Sequence, residues 1–138
     1  MYERVLAAID HSEVSERVLA AARDLALLSK GEVWVLHLRE REVIARMGTV
    51  PSESQGEADA EVKAAADSLT KAGVTAHAIV RDTLFGHAAR EIIEDAHEHD
   101  AGVIVMGSRG RGDLTGLVLG STTHKVIHLA DRPVLVVR

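Results

Sequence analysis

The sequence predicts an α/β fold: a single three-layer domain over residues 1–138, built on a five-stranded parallel sheet with about four helices. Three observations lead there. Short apolar runs rich in β-branched residues recur along the chain, and segments of helical period separate them. The runs are close to continuously apolar, so the strands are buried on both faces, as parallel strands between two helix layers are.

The first run, residues 5–9, starts almost at the beginning of the chain. A helix follows, with Val14, Val18, Ala21, Ala22, Leu25 and Leu28 on one face. The second strand is residues 33–38. The stretch 39–56 then reads as an 18-residue loop, charged at its start (Arg39, Glu40, Arg41, Glu42) and turn-like at its end (Gly48, Pro51, Ser52, Ser54, Gly56). Loops of that length are often functional, so it is either a lid over a ligand or a surface excursion, and its charges read as solvated. Ala58, Val62, Ala65, Ala66 and Leu69 define the second helix. Residues 74–80 form a strand whose Thr75 and His77 suit a sheet edge. Ala89, Ile92, Ile93 and Ala96 mark the third helix, and residues 103–106 the fourth strand. A short helix from about Ser121 turns Val126 and Leu129 inward and ends before Pro133, and residues 134–137 close the sheet.

Composition narrows the function. The net charge of −5, from 16 basic and 21 acidic residues, argues against a dedicated nucleic-acid binder. The lack of cysteine removes disulfides, thiolate zinc sites and cysteine nucleophiles. Tyr2, Trp34 and Phe85 are the only aromatic residues, which disfavours a flavin needing stacked rings. No apolar run approaches the roughly 20 residues of a membrane span, and the opening residues lack signal-peptide architecture. A soluble, cytoplasmic protein is expected.

The most informative stretch follows the fourth strand. Gly107, Gly110, Gly112, Gly116 and Gly120 punctuate it, Arg109 and Arg111 lie among them, and Gly120-Ser121-Thr122 opens a helix. Glycines let backbone N–H groups turn toward an anion, and a helix start supplies unpaired N–H groups with partial positive charge. Hydroxyls of Ser121 and Thr122 add donors, and Arg109 and Arg111 supply charge for phosphate. Glycines also serve ordinary tight turns after a strand, and Ser121 serves equally as a helix cap. No Walker A pattern occurs, and Asp10-His11-Ser12-Glu13 holds no dinucleotide fingerprint.

The spacing Gly107-x2-Gly110-x9-Gly120-Ser121 resembles the nucleotide-binding signature of the universal stress protein family. The likeness extends over nearly the whole chain: residues 5–9 with Asp10 and Ser12, residues 33–38 with His37, Gly86 six residues before Ile92, residues 103–107, and the closing 133–137. The resemblance implies a Rossmann-like fold of the adenine nucleotide α-hydrolase type, with strand order 3-2-1-4-5 and a ligand crevice beyond the first and fourth strands. It implies ATP as the ligand, with Mg2+. Gly107, Gly110, Gly120 and Ser121 would hold phosphates and ribose, with Thr122 assisting, Asp10 near the ribose or phosphate–metal region, and Leu38 beside the adenine. It further implies a homodimer, commonly paired through the last strand, and regulatory binding with slow hydrolysis at most. An enzyme using Asp10 to hold a metal and Arg109 to stabilise phosphate charge is the alternative, as is an interaction module without nucleotide.

Other residues have plainer readings. Asp10 and Glu13 fit a capping box. The pairs His124/His128 and His97/His99 lack a convergent third ligand and read as solvent-facing, so no metal site is expected. His37 reads as a core or site-edge histidine, and Arg23-Asp24 and Glu94-Asp95 as polar helix faces.

Overall fold

The computed structural model describes residues 1–46, 48–51, 53–109 and 119–138. In chain order the elements are β1 (Arg4–Ile9), α1 (Val14–Ser29), β2 (Glu32–Ile44), β3 (Gly48–Pro51), α2 (Gln55–Lys71), β4 (Thr75–Leu84), α3 (Ala88–Glu98), β5 (Val103–Gly107), α4 (Ser121–Leu129) and β6 (Val134–Val137). The parallel strands run β4-β2-β1-β5-β6, the order expected. The sheet departs from expectation by a sixth strand, β3, antiparallel to the far end of β2.

Strand alternation divides the core in two. Val5, Ala7, Ile9, Val33, Val35, Val103 and Val105 pack on one face with Val18, Ala22 and Ala26 of α1 and Val62, Ala65 and Leu69 of α2. Leu6, Leu36, Ile104 and Met106 pack on the other with Ala89, Ile92 and Ala96 of α3 and Val126 of α4. Successive strand residues point to opposite faces, so each strand must be apolar throughout to feed both cores. Edge strand β4 is the exception: Thr75 and His77 are exposed, and the His77 ring stacks on Trp34, its cross-strand neighbour, at 4.8 Å between centroids.

The structure corrects several expectations. The 39–56 stretch is a hairpin instead of a loop: β2 continues to Ile44, pairs with a lengthened β4 as far as Arg41↔Leu84, and turns back through β3. Its charges are not simply solvated. Arg39 is buried and forks onto Asp82 of β4 at 2.6 and 2.7 Å, an ion pair that carries the strand pairing past the apolar run. Leu28 is 85% exposed, because it lies about 100° around α1 from the arc centred between Val18 and Ala22. Leu129 is likewise exposed, while Val126 faces inward as expected, with Thr123 beside it. Asp95 is not on a polar face but buried, holding the Arg81 guanidinium at 2.9 Å.

Candidate functional site

β1 and β5 lie side by side, and the chain leaves them in opposite directions. From β1 it enters α1 on one face, and α4, after β5, packs on the other. Such a divergence opens a crevice beyond the strand ends, the usual ligand position in an open α/β sheet. A cavity of about 530 Å³ occupies it here, within the size range of small-molecule sites.

The first wall is the turn after β1. The Asp10 N–H donates to Ser15 Oγ at 3.0 Å, and the same hydroxyl donates back to the Asp10 carbonyl at 2.8 Å. Asp10 Oδ1 accepts from the Ser12 N–H at 2.8 Å and from the Ser12 hydroxyl. The expected Asp10–Glu13 capping box does not form, because α1 starts at Val14 and its cap position, Glu13, makes no side-chain cap bond. The aspartate closes a tight turn two residues long in preference to capping the helix.

The opposite wall is the end of β5 and the start of α4. Ser108 N–H bonds to the Val137 carbonyl at 2.7 Å, Gly120 N–H to the Ser108 carbonyl at 2.8 Å, and Thr123 Oγ1 to the Gly107 carbonyl at 2.7 Å. These bonds lock the helix start against the strand end. Ser121 is not the cap; Gly120 holds that position. The bond from His124 N–H to the Gly120 carbonyl opens the helical ladder, so the amides of Ser121, Thr122 and Thr123 belong to the turn that has no intrahelical acceptor. Gly107 is required by packing: a Cβ there would sit 2.5 Å from Val14 Cγ1.

Asp10, Leu38, Gly107, Arg109, Gly120, Ser121 and Thr122 all line this one cavity. Gly110 lies outside the described residues, as do Arg111, Gly112, Asp113 and Gly116. The structure adds Glu40, Glu42, Glu53, Phe85 and Lys125 to the lining. Lys125 had a legible signal, four residues after Ser121 on a helix. Glu40 and Glu42 had none while residues 39–56 read as a loop.

The cavity is electrically polarised. Carboxylates of Asp10, Glu40, Glu42 and Glu53 come from the β1–β2 side, and Arg109 and Lys125 from the β5–α4 side. Burial, with the charges of Asp10 and Glu42, raises the Glu40 carboxyl above its usual range. Glu53 goes the other way. Burial would raise it, but hydrogen bonds from His37 and His11 outweigh that and hold it low. His37 is buried as expected; its Nδ1 lies 3.2 Å from the Ile9 carbonyl and its Nε2 against Glu53 Oε1. His11 Nε2 meets Glu53 Oε2 at 2.7 Å, and His11 Nδ1 lies 2.9 Å from Glu61 Oε2. His124 and His128 are exposed, and His97 pairs with Asp131 at 2.9 Å.

A family model described as the universal stress protein family matches residues 1–138. The chain belongs to that family. Universal stress protein YxiE of Bacillus subtilis is 34% identical, with both chains covered in full. Universal stress protein MJ0577 of Methanocaldococcus jannaschii is 29% identical over all of this chain and 96% of its own. The solved structure of MJ0577 superposes with a TM-score of 0.80 over 99% of this chain and 96% of that one, at 25% identity. A universal stress protein from Archaeoglobus fulgidus, solved in complex with dAMP, superposes with a TM-score of 0.75 at 26% identity, covering 100% of this chain and 98% of that one.

Proposed function

We propose that this universal stress protein binds ATP with Mg2+ in the crevice between β1 and β5 and acts as a nucleotide-responsive regulatory protein, a cytoplasmic homodimer. The observation that carries the reading is the polarity of the cavity. Arg109, Lys125 and the amides at the start of α4, which have no intrahelical acceptor, offer cations and donors to phosphates on one side. On the other, Leu38 and the exposed Phe85 offer apolar surface to a base, and Asp10 and Glu40 offer acceptors to ribose hydroxyls or an exocyclic amine. The dAMP complex of the Archaeoglobus relative supports an adenine nucleotide. The donor set suits Mg2+, a hard cation that takes oxygen ligands: Asp10 and the hydroxyls of Ser121 and Thr122 line the same cavity and would share it with the phosphates.

Among the described residues no helix is long and apolar enough to cross a membrane. The dimer would form across β6, a sheet-end strand paired on one side with β5 and carrying the partly exposed Leu135. The direct test is Gly110→Val, which should abolish ATP binding in titration while leaving the far-UV spectrum unchanged. Unaltered affinity in that variant would overturn the phosphate-loop assignment.

A further inference from the structure

At the rim of the crevice two imidazoles and two carboxylates converge from four parts of the chain. His11 follows β1, His37 lies within β2, Glu53 follows β3 and Glu61 lies on α2. One potential ligand atom from each falls within 4.8 Å of all the others. His11 Nε2 lies 2.7 Å from Glu53, His11 Nδ1 2.9 Å from Glu61, and His37 Nε2 3.7 Å from Glu61. Ligand atoms around a tetrahedral ion with bonds of 2.0–2.1 Å stand roughly 3.3 Å apart. The four groups are thus close enough to converge on one ion after small side-chain adjustments.

Two details show that these groups want a cation among them. The Ile9 carbonyl can only accept, so His37 Nδ1 carries the hydrogen and donates at 3.2 Å. His37 Nε2 then faces Glu53 Oε1. That contact is repulsive unless a proton or a metal ion lies between them. A backbone carbonyl fixing one ring nitrogen while the other faces carboxylates is the usual support of a ligating histidine. Secondly, Glu61 Oε2 is buried without a hydrogen-bond partner; its 2.9 Å approach to His11 Nδ1 is close but not aligned as a hydrogen bond.

A second cluster, Asp95, Glu98 and His99, shows what a structural ion-pair network looks like instead. There the Arg81 guanidinium reaches Asp95 at 2.9 Å and Glu98 at 3.1 Å, and the charges are already matched. Among the described residues no Lys or Arg ion-pairs with Glu53 or Glu61, and Arg39, whose field reaches Glu53, is forked onto Asp82.

We propose that His11, His37, Glu53 and Glu61 bind one divalent transition-metal ion of the Zn2+ type per chain, independently of nucleotide. Two imidazoles and two carboxylates suit Zn2+ or Co2+ and lack the all-oxygen shell that Mg2+ prefers. Because His11, His37 and Glu53 also line the cavity, the ion would pin the hairpin and α2 to the turn that carries Asp10.

The test uses the chelator-treated full chain without nucleotide, so its failure leaves the ATP reading standing. Titration with Zn2+ should show one equivalent bound, at least tenfold more weakly in Glu61→Gln and in His11→Asn, and unchanged in His128→Asn. Co2+ should give the visible bands of a tetrahedral site. In His11→Cys, the chain's only cysteine, a thiolate-to-Co2+ band should appear as well. Several weak equivalents, equal binding in all variants, or no thiolate band in His11→Cys would overturn the proposal.

Discussion

Gly107 shows how a single missing side chain sets the site. The Val14 side chain of α1 fills the space a Cβ would take, so helix and strand end meet in contact and the crevice opens just beyond them. Gly107→Ala should destabilise the protein by about 1–3 kcal/mol, the usual cost of forcing extra atoms into packed space, and weaken ATP binding. Val14→Ala added to it should restore part of both, as measured by denaturant unfolding and titration. Glu40 makes a second residue-scale prediction. Its carboxyl is raised, so the folded state disfavours the charged form, and stability falls as pH rises through that raised pKa. Glu40→Gln should therefore raise the melting temperature at pH 7, by roughly 1–3 °C, with the gain disappearing near pH 4. Much of the residue-level site was legible because the glycine spacing and Asp10 are local in sequence. The cluster of His11, His37, Glu53 and Glu61 was not, since its members are 26, 16 and 8 positions apart and meet only through the topology.

The elements divide in the same way. Helix faces such as Ala58, Val62, Ala65, Ala66 and Leu69 were readable because each lies on one stripe that packs against the sheet. The hairpin was not, because Arg39–Glu42 carries no apolar signal and its pairing rests on the ion pair to Asp82 and on a β4 that runs beyond its apolar stretch. Asp82→Ala should thus speed hydrogen exchange in β3 and the end of β2 while leaving β1 and β5 protected. The start of α2 carries its own local signal: Ser54 and Glu57 form a full capping box, with Ser54 Oγ accepting from the Glu57 N–H at 3.1 Å and Glu57 Oε2 accepting from the Ser54 N–H at 2.9 Å. Ser54→Ala should cost about 1 kcal/mol in equilibrium unfolding.

At the scale of the whole molecule, two features point outward. β6 ends the sheet with Leu135 partly exposed, and pairing it with a second copy would cover that edge. Leu135→Lys should shift the sedimentation coefficient from dimer to monomer without changing the circular dichroism. The crevice is the other feature, and it draws on both ends of the chain, since Asp10 and Gly120 stand on facing walls. The family fold places β1 beside β5, and that adjacency makes the end of β5 and the start of α4 one half of a pocket. Calorimetric titration of nucleotide-free protein with ATP and Mg2+ tests this account most directly. It predicts one ATP per chain with a dissociation constant on the order of micromolar; a titration without heat, at concentrations well above that, would contradict it.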